Sequence, residues 1–365
     1  MNLELTSGLT QFLFIFLATS VTIFVLLFWD KIHRKGILNL VYRTITLILI
    51  ILLTISSLAI SVNKSQGFYS SWTDFFGGTR DFSAAAITSD NLKILDSSFL
   101  KKTQPISGNL HLLKEIIRGK KSHVSNIVYL ILPSSAVQEL KAGKNLNAHD
   151  YQVVEFLTGF PSQPEMWFKA LKVEEDITAY NAIHSRKIIG VIPQINIAGK
   201  VDLECMNFEN GQPDAETWLT EDMHSYISRR LGLADSQWIS VGVSTGAWCA
   251  AMFAIRHPNL YSGALSIAGY YRPALPLKDP IELQRAMIAK YDVKEMESRL
   301  VSPVPIFIVA SLGDVYSIRE TKRFLAKPHP MLKINYHEIS SGGHNPRVWK
   351  SQILPGLTWL STVTS

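Results

Sequence analysis

Two long stretches without a charged side chain constrain this chain most. No charged residue occurs from Leu5 to Trp29, and Phe12 to Trp29 reads FLFIFLATSVTIFVLLFW. A second uncharged stretch, TITLILIILLTISSLAISVN, runs from Thr44 to Asn63. A spanning helix needs about 20 predominantly apolar residues, so both stretches predict membrane spans. A cleaved signal peptide is disfavoured for the first, because its apolar run is too long, no basic flank precedes it and a second span follows. Lys31, Arg34 and Lys35 lie in the loop between the stretches with Arg43 just beyond, whereas Glu4 is the charge before the first. Basic residues stay on the cytoplasmic side, which outweighs the single Lys64 beyond the second stretch. The expectation is a multi-pass plasma-membrane protein with everything after Asn63 outside the cytoplasm.

Hydrophobic residues make up 47% of the 365 and charged residues 18%, which excludes a disordered chain and leaves enough for a large core. The net charge of +6 is small for this length and no basic-aromatic array is present, so no nucleic-acid partner is expected. We divide the chain into a two-helix anchor (1–63), an extracytoplasmic stalk or adaptor (64–104) and one α/β domain (105–365). The stalk is polar and turn-rich, and its Phe68, Tyr69, Trp72, Phe75 and Phe76 suit a membrane interface or packing on the domain.

Within the domain, short aliphatic runs predict strands at 125–133, 151–159, 187–196, 238–244, 263–269, 305–314 and 333–340. Their near-continuous apolarity suits strands buried on both faces, and amphipathic stretches such as AETWLTEDMHSYISRRLG lie between them. The alternation predicts an α/β fold with a mostly parallel sheet and flanking helices, whose functional groups belong at the carboxyl ends of the strands.

The strand WISV leads into Gly242-Val243-Ser244-Thr245-Gly246 and then into AWCAAMFAIRHP. Strand, tight turn and helix are the context a nucleophile elbow requires, and the glycines leave room where side chains would strike neighbouring backbone. Ser244 is thereby expected at a helix N-terminus, where the dipole and the Thr245 N–H favour an oxyanion. Serine needs a base and an acid to orient that base. Of the histidines that follow, His257 suits a helix end, His329 a loop between prolines and His337 a strand face. His344 follows Ser340-Ser341-Gly342-Gly343 just after the last strand and is the expected base. Asp314, at the end of PIFIVASLGD, is the expected acid, with Glu320 as the alternative; Asp314 also suits a helix cap. The second oxyanion donor is expected from FLTGFPSQPEMW, as the N–H of Phe160 after the permissive Gly159.

No HExxH, CxxC, GxxxxGK[ST] or GxGxxG spacing occurs, so neither a metal nor another cofactor is expected. Cys205 and Cys249 are an even pair in a region expected to be outside the cytoplasm, which favours a disulfide over two buried thiols. Such a bridge would tie the elbow helix to the loop carrying Asp202 and Glu204.

The motifs LTGFPSQPEMW, KVDLECMNF, AETWLTEDMHSYI, GVSTGAWCAAMFAIRHP, LSIAGYYRP and GGHNPRVW together resemble the esterase family that includes esterase D and the secreted mycolyltransferases of the antigen 85 type. With the N-terminal spans and GFYSSWTDFFG, the likeness is greatest to membrane-anchored actinobacterial members. The resemblance implies an α/β-hydrolase fold, Ser244 as nucleophile, His344 as base, Asp314 as acid, Thr245 and Phe160 as oxyanion donors, and paired Cys205 and Cys249. Thr158 and Pro161 stand where the mycolyltransferase loop carries an acid and an arginine for its sugar acceptor, which argues against trehalose. Thr158-Gly159 likewise replaces the His-Gly of related esterases.

These readings converge on a membrane-anchored serine esterase or acyltransferase acting on acyl esters of the cell envelope, with water or a lipid or sugar hydroxyl as acceptor. The alternative is a non-catalytic hydrolase-fold protein that binds or scaffolds in the envelope.

Overall fold

A computed structural model of the protein describes residues 8–28, 37–66, 85–86, 103–198, 201–208, 211–234, 236–275, 280–298 and 300–364. The chain divides into two units, one of residues 1–81 with 343–346 and the other of 82–342 with 347–365. The aromatics Phe68, Tyr69, Trp72, Phe75 and Phe76 and the loop cations Lys31, Arg34 and Lys35 lie outside the described residues.

In the first unit, α1 (Gly8–Phe28) and α2 (Ile37–Gln66) are helices of 21 and 30 residues. Their segments Leu9–Phe28 and Leu40–Val62 are long and apolar enough to cross a membrane. At about 1.5 Å per residue, α1 covers roughly the thickness of a hydrocarbon core. Phe12, Phe16, Phe24, Leu26, Leu47, Ile51 and Leu58 point outward. The hydroxyls of Thr22, Thr46 and Thr54 instead donate to carbonyls one turn back, those of Ala18, Tyr42 and Ile50. Apolar side chains thus face out while these hydroxyls are satisfied within their own helices.

Among the described residues, the second unit is built on a ten-stranded sheet. Its strands are β1 (Ala85–Ala86), β2 (Gln104–Ile106), β3 (Leu110–Arg118), β4 (Ser125–Pro133), β5 (Tyr151–Leu157), β6 (Lys187–Pro193), β7 (Trp238–Val243), β8 (Tyr261–Ile267), β9 (Val304–Ser311) and β10 (Leu332–Ile339). They lie in the order β1-β3-β4-β6-β5-β7-β8-β9-β10, with β2 paired to β3. From β6 to β10 every pairing is parallel, but β2–β3, β3–β4 and β4–β6 are antiparallel. The sheet is therefore mostly parallel with an antiparallel edge, in keeping with the mostly parallel sheet expected from the sequence. The antiparallel edge holds β3, which is absent from the predicted strands.

Alternate residues of each strand feed two cores on opposite faces, as a period of two requires. On β9, Val304, Ile306 and Ile308 face one core while Phe307 and Val309 face the other. The first core is covered by α3 (Ser134–Lys141), by α6 (215–231, containing the π-helical stretch Trp218–Met223), by α7 (Thr245–Arg256), α8 (Ile281–Tyr291), α9 (Val293–Glu297) and α10 (Val315–Leu325). The second is covered by α4 (Met166–Lys169), α5 (Val173–Ile183) and α11 (Pro346–Val363). β5, β7 and β9 are buried along their whole length. Two helical layers thus bury a central sheet whose parallel strands all end on one edge, where the turns after β5, β7, β8, β9 and β10 gather.

Candidate active site

Ser244 follows β7 directly and precedes the first residue of α7. Its backbone is at φ 57° and ψ −123°, a region that L-residues rarely occupy. Strain of this kind persists only where the surroundings hold it, and here they do. A Cβ on Gly242 would stand 1.9 Å from the Gly246 carbonyl oxygen, and one on Gly246 would stand 2.2 Å from the carbonyl oxygen of Leu157. Strand, turn and helix therefore touch backbone to backbone. The Ser244 N–H donates to Ile267 O at 3.0 Å, fixing the turn to β8. Thr245 is the first helical residue, so its N–H has no acceptor within the helix and points with the positive end of the dipole.

The turn after β5 presses on the serine. A Cβ at Gly159 would lie 2.9 Å from Ser244 Cβ and 3.4 Å from its Oγ. Phe160 follows, half-buried, joined to Pro161 by a cis peptide bond. The turn closes on itself through Ser162 N donating to Gly159 O, and it is braced by Gln194 and Asn196, whose side-chain amides donate to Gln163 Oε1 and Ser162 O. Sequence reading singled out neither Gln194 nor Asn196.

Asp314 is buried at the N-cap of α10, where its Oδ1 accepts from Ser317 N at 3.2 Å. The turns after β9 and β10 are laced together, because Leu312 N donates to Ile339 O and Ser311 Oγ donates to Gly342 O. A Cβ on Gly313 would meet that same Gly342 oxygen at 2.3 Å. His344, half-buried, lies two residues beyond Gly342, between β10 and α11. Glu320, the alternative acid, is buried within reach of three guanidinium groups, those of Arg272 (3.4 Å), Arg319 (3.2 Å) and Arg323 (3.9 Å). The other histidines considered hold local positions. His257 Nε2 meets Glu216 Oε1 at 2.8 Å, His329 Nδ1 accepts from Met331 N, and His337 is exposed on β10.

A disulfide joins Cys205 to Cys249 on α7. It fixes the loop of Asp202 and Glu204 beside the elbow, together with Tyr270, to which the sequence did not point. Thr245 Oγ1 donates to Asp202 Oδ2 at 3.2 Å, Trp248 Nε1 donates to Glu204 O at 3.1 Å, and Ala274 N donates to Glu204 Oε2 at 2.8 Å. Tyr270 Oη lies 2.9 Å from Glu204 Oε1 and 3.3 Å from Thr245 Oγ1. Burial raises the Asp202 carboxyl, and burial together with the charge of Asp202 pushes Glu204 up to about 8.

Among the described residues, no group of three or more His, Cys, Asp or Glu is arranged to hold a metal ion. A cavity of about 1000 Å³, lined by Gln237, Ser302, Pro303 and Leu332, opens at the opposite edge of these strands and includes none of the groups above.

A central, mostly parallel sheet between helical layers, with a strained serine at a strand-to-helix turn, defines an α/β-hydrolase. The chain belongs to the family described as Putative esterase, which matches residues 144–360. It is 23% identical over 229 residues to an uncharacterized protein of Corynebacterium glutamicum (57% of this chain, 52% of that one), and 28% identical over 148 residues to the MPT51 antigen of Mycobacterium leprae (39% and 48%). The chain thus spans about half the length of the curated relatives it matches. Among solved structures, an S-formylglutathione hydrolase from Agrobacterium tumefaciens superposes with a TM-score of 0.58 at 13% identity, over 72% of this chain and 98% of that one.

Proposed function

We propose that this protein is a membrane-anchored serine esterase or acyltransferase whose catalytic domain lies outside the cytoplasm and acts on acyl esters of the cell envelope. Ser244 attacks the acyl carbonyl, His344 takes the serine proton, and Asp314 orients and stabilises the imidazolium that forms. The tetrahedral oxyanion is held by the backbone N–H groups of Thr245 and Phe160. His344 then returns the proton to the leaving alcohol, and water or a lipid or sugar hydroxyl takes the acyl group from Ser244 by the reverse sequence.

The observation that carries this reading is the elbow. Ser244 is held at φ 57° by two glycines whose places no larger residue can take, with Gly159 against its side chain. Strain at a nucleophile has a purpose in catalysis and none in a passive scaffold. The order Ser244, Asp314, His344 matches that of α/β-hydrolases, each following a strand of the parallel region. Asp314 suits the acid better than Glu320, which faces three arginines. The two apolar helices and the basic loop between the uncharged stretches support the anchor and its orientation.

The full-length protein in detergent micelles should hydrolyse a short p-nitrophenyl ester, and Ser244→Ala and His344→Ala should each lower kcat by about 10⁴-fold or more. Adding long-chain alcohols or sugars and analysing the products separates the two branches: ester products mark a transferase, free acid alone a hydrolase. Turnover that survives Ser244→Ala contradicts the proposal.

A further inference from the structure

Behind the elbow, four side chains from three segments form one chain of close polar contacts: Glu204, Tyr270, Thr245 and Asp202. The three links are Glu204 Oε1 to Tyr270 Oη (2.9 Å), Tyr270 Oη to Thr245 Oγ1 (3.3 Å) and Thr245 Oγ1 to Asp202 Oδ2 (3.2 Å). Three links need three hydrogens. The tyrosine and threonine hydroxyls bring one each, and an ionised carboxylate brings none. With both acids ionised, Tyr270 donates either to Glu204 or to Thr245, and one link is lost. All three links are made only when one of the two carboxyls is protonated.

The surroundings say which one. Asp202 is half-exposed and accepts two hydrogens, from Glu204 N on Oδ1 and from the Thr245 hydroxyl on Oδ2, as suits an anion. Glu204 is buried, and its Oε2 accepts from Ala274 N, which leaves Oε1 to carry a proton towards Tyr270. Among the described residues, the groups facing Glu204 are Asp202 on its own loop, Thr245 and Trp248 on α7, Tyr270 and the Ala274 amide after β8, and Tyr316 on α10, whose ring meets Tyr270 edge-on. None of these is a cation, and Arg272 on the neighbouring segment pairs with Glu320. The turn presenting Glu204 is strained, with Glu204 and Cys205 both left-handed at φ 48° and 56° and held there by the disulfide and by Trp248.

Given that Thr245 serves the oxyanion as proposed above, we infer that Asp202 and Glu204 share one proton through Tyr270 and Thr245, and that this singly protonated chain positions Thr245 for the oxyanion. In that state Glu204 donates to Tyr270, Tyr270 to Thr245, and Thr245 to Asp202. When the proton leaves to solvent at higher pH, the chain breaks and a second carboxylate appears beside a site that must accept negative charge. Activity then falls on the alkaline side, where ionisation of the histidine base alone would leave it level.

The test uses the full-length protein in micelles. In the wild type, kcat/KM is expected to fall about tenfold per pH unit above the titration of Glu204, near pH 8. In Glu204→Gln the amide donates to Tyr270 and its oxygen accepts from Ala274, so the profile should stay level through that range. An alkaline fall common to both proteins, or none in the wild type, overturns the inference. Difference infrared spectra between neutral and alkaline pH should show, beyond the loss from Glu155 that both proteins share, a protonated-carboxyl band lost in the wild type and missing from Glu204→Gln; equal losses in the two proteins also overturn it. A protein with the band and no ester turnover would sink the esterase reading while leaving the shared proton standing. Tyr270→Phe removes the relay but keeps the ring, and is expected to lower kcat with little change in KM. A purely structural role would not separate those two constants.

Discussion

Gly159 and Ser244 meet so closely that a Cβ on the glycine would lie 2.9 Å from the serine Cβ. The turn after β5 and the turn holding Ser244 therefore have one relative position, set by close contact of Gly159 with the serine. Gly159→Ala should displace one turn from the other by a fraction of an ångström. Because a misplacement of about 1 Å can cost about 10²-fold, kcat/KM is expected to drop by about 10- to 100-fold with a far smaller change in unfolding midpoint. Equal losses in activity and stability would show that the contact is only packing.

The Cys205–Cys249 bridge closes a loop with a sequence separation of 44. On the chain-entropy argument its removal should cost about 4 kcal/mol, less whatever strain it relieves. The double substitution Cys205→Ala with Cys249→Ala should lower stability by about 2–4 kcal/mol in urea titration. It should also lower kcat in the fraction that remains folded, because the Glu204 turn loses its anchor. An unchanged midpoint would contradict this.

Glu155 lies in the middle of β5, fully buried, with the Ser240 hydroxyl donating to it at 3.2 Å. Burial pushes its carboxyl from 4.5 up to about 8. Between those values the folded protein keeps a proton that the unfolded chain has released. Stability therefore falls as pH rises through that window and levels off above it. Glu204 acts in the same direction over the same range. Glu155→Gln should flatten part of this slope and raise stability at pH 8 by on the order of a few kcal/mol, measured by urea unfolding at a series of pH values. A slope identical to wild type would mean that Glu155 is ionised in the folded state.

How much was legible in the sequence depended on whether a feature was local. The elbow was, because two glycines, a buried strand and an apolar helix fall within twenty residues, and the collisions expected at Gly242 and Gly246 are found there. β5, β6, β7 and β9 were legible because burial on both faces leaves continuous apolar runs. β3 was not, because LHLLKEIIR places Lys114 and Glu115 inside the strand and breaks the run. α11 was hidden by Pro355, which reads as a helix breaker, although a buried face from Trp349 to Leu360 carries the helix through it. The group of Asp202, Glu204 and Tyr270 was legible only in part: an even cysteine pair pointed to the loop of Asp202 and Glu204 beside α7, but nothing in spacing pointed to Tyr270 or to the left-handed turn.

The central claim is that Ser244 is the activated nucleophile, and covalent labelling reads it most directly. Full-length protein in micelles would be treated with a fluorophosphonate probe, digested, and the modified residue identified by peptide mass. The expected result is one adduct per chain, on Ser244, formed far more slowly in His344→Ala and absent after unfolding. An adduct on another serine, or none on a protein shown to be folded, would contradict it.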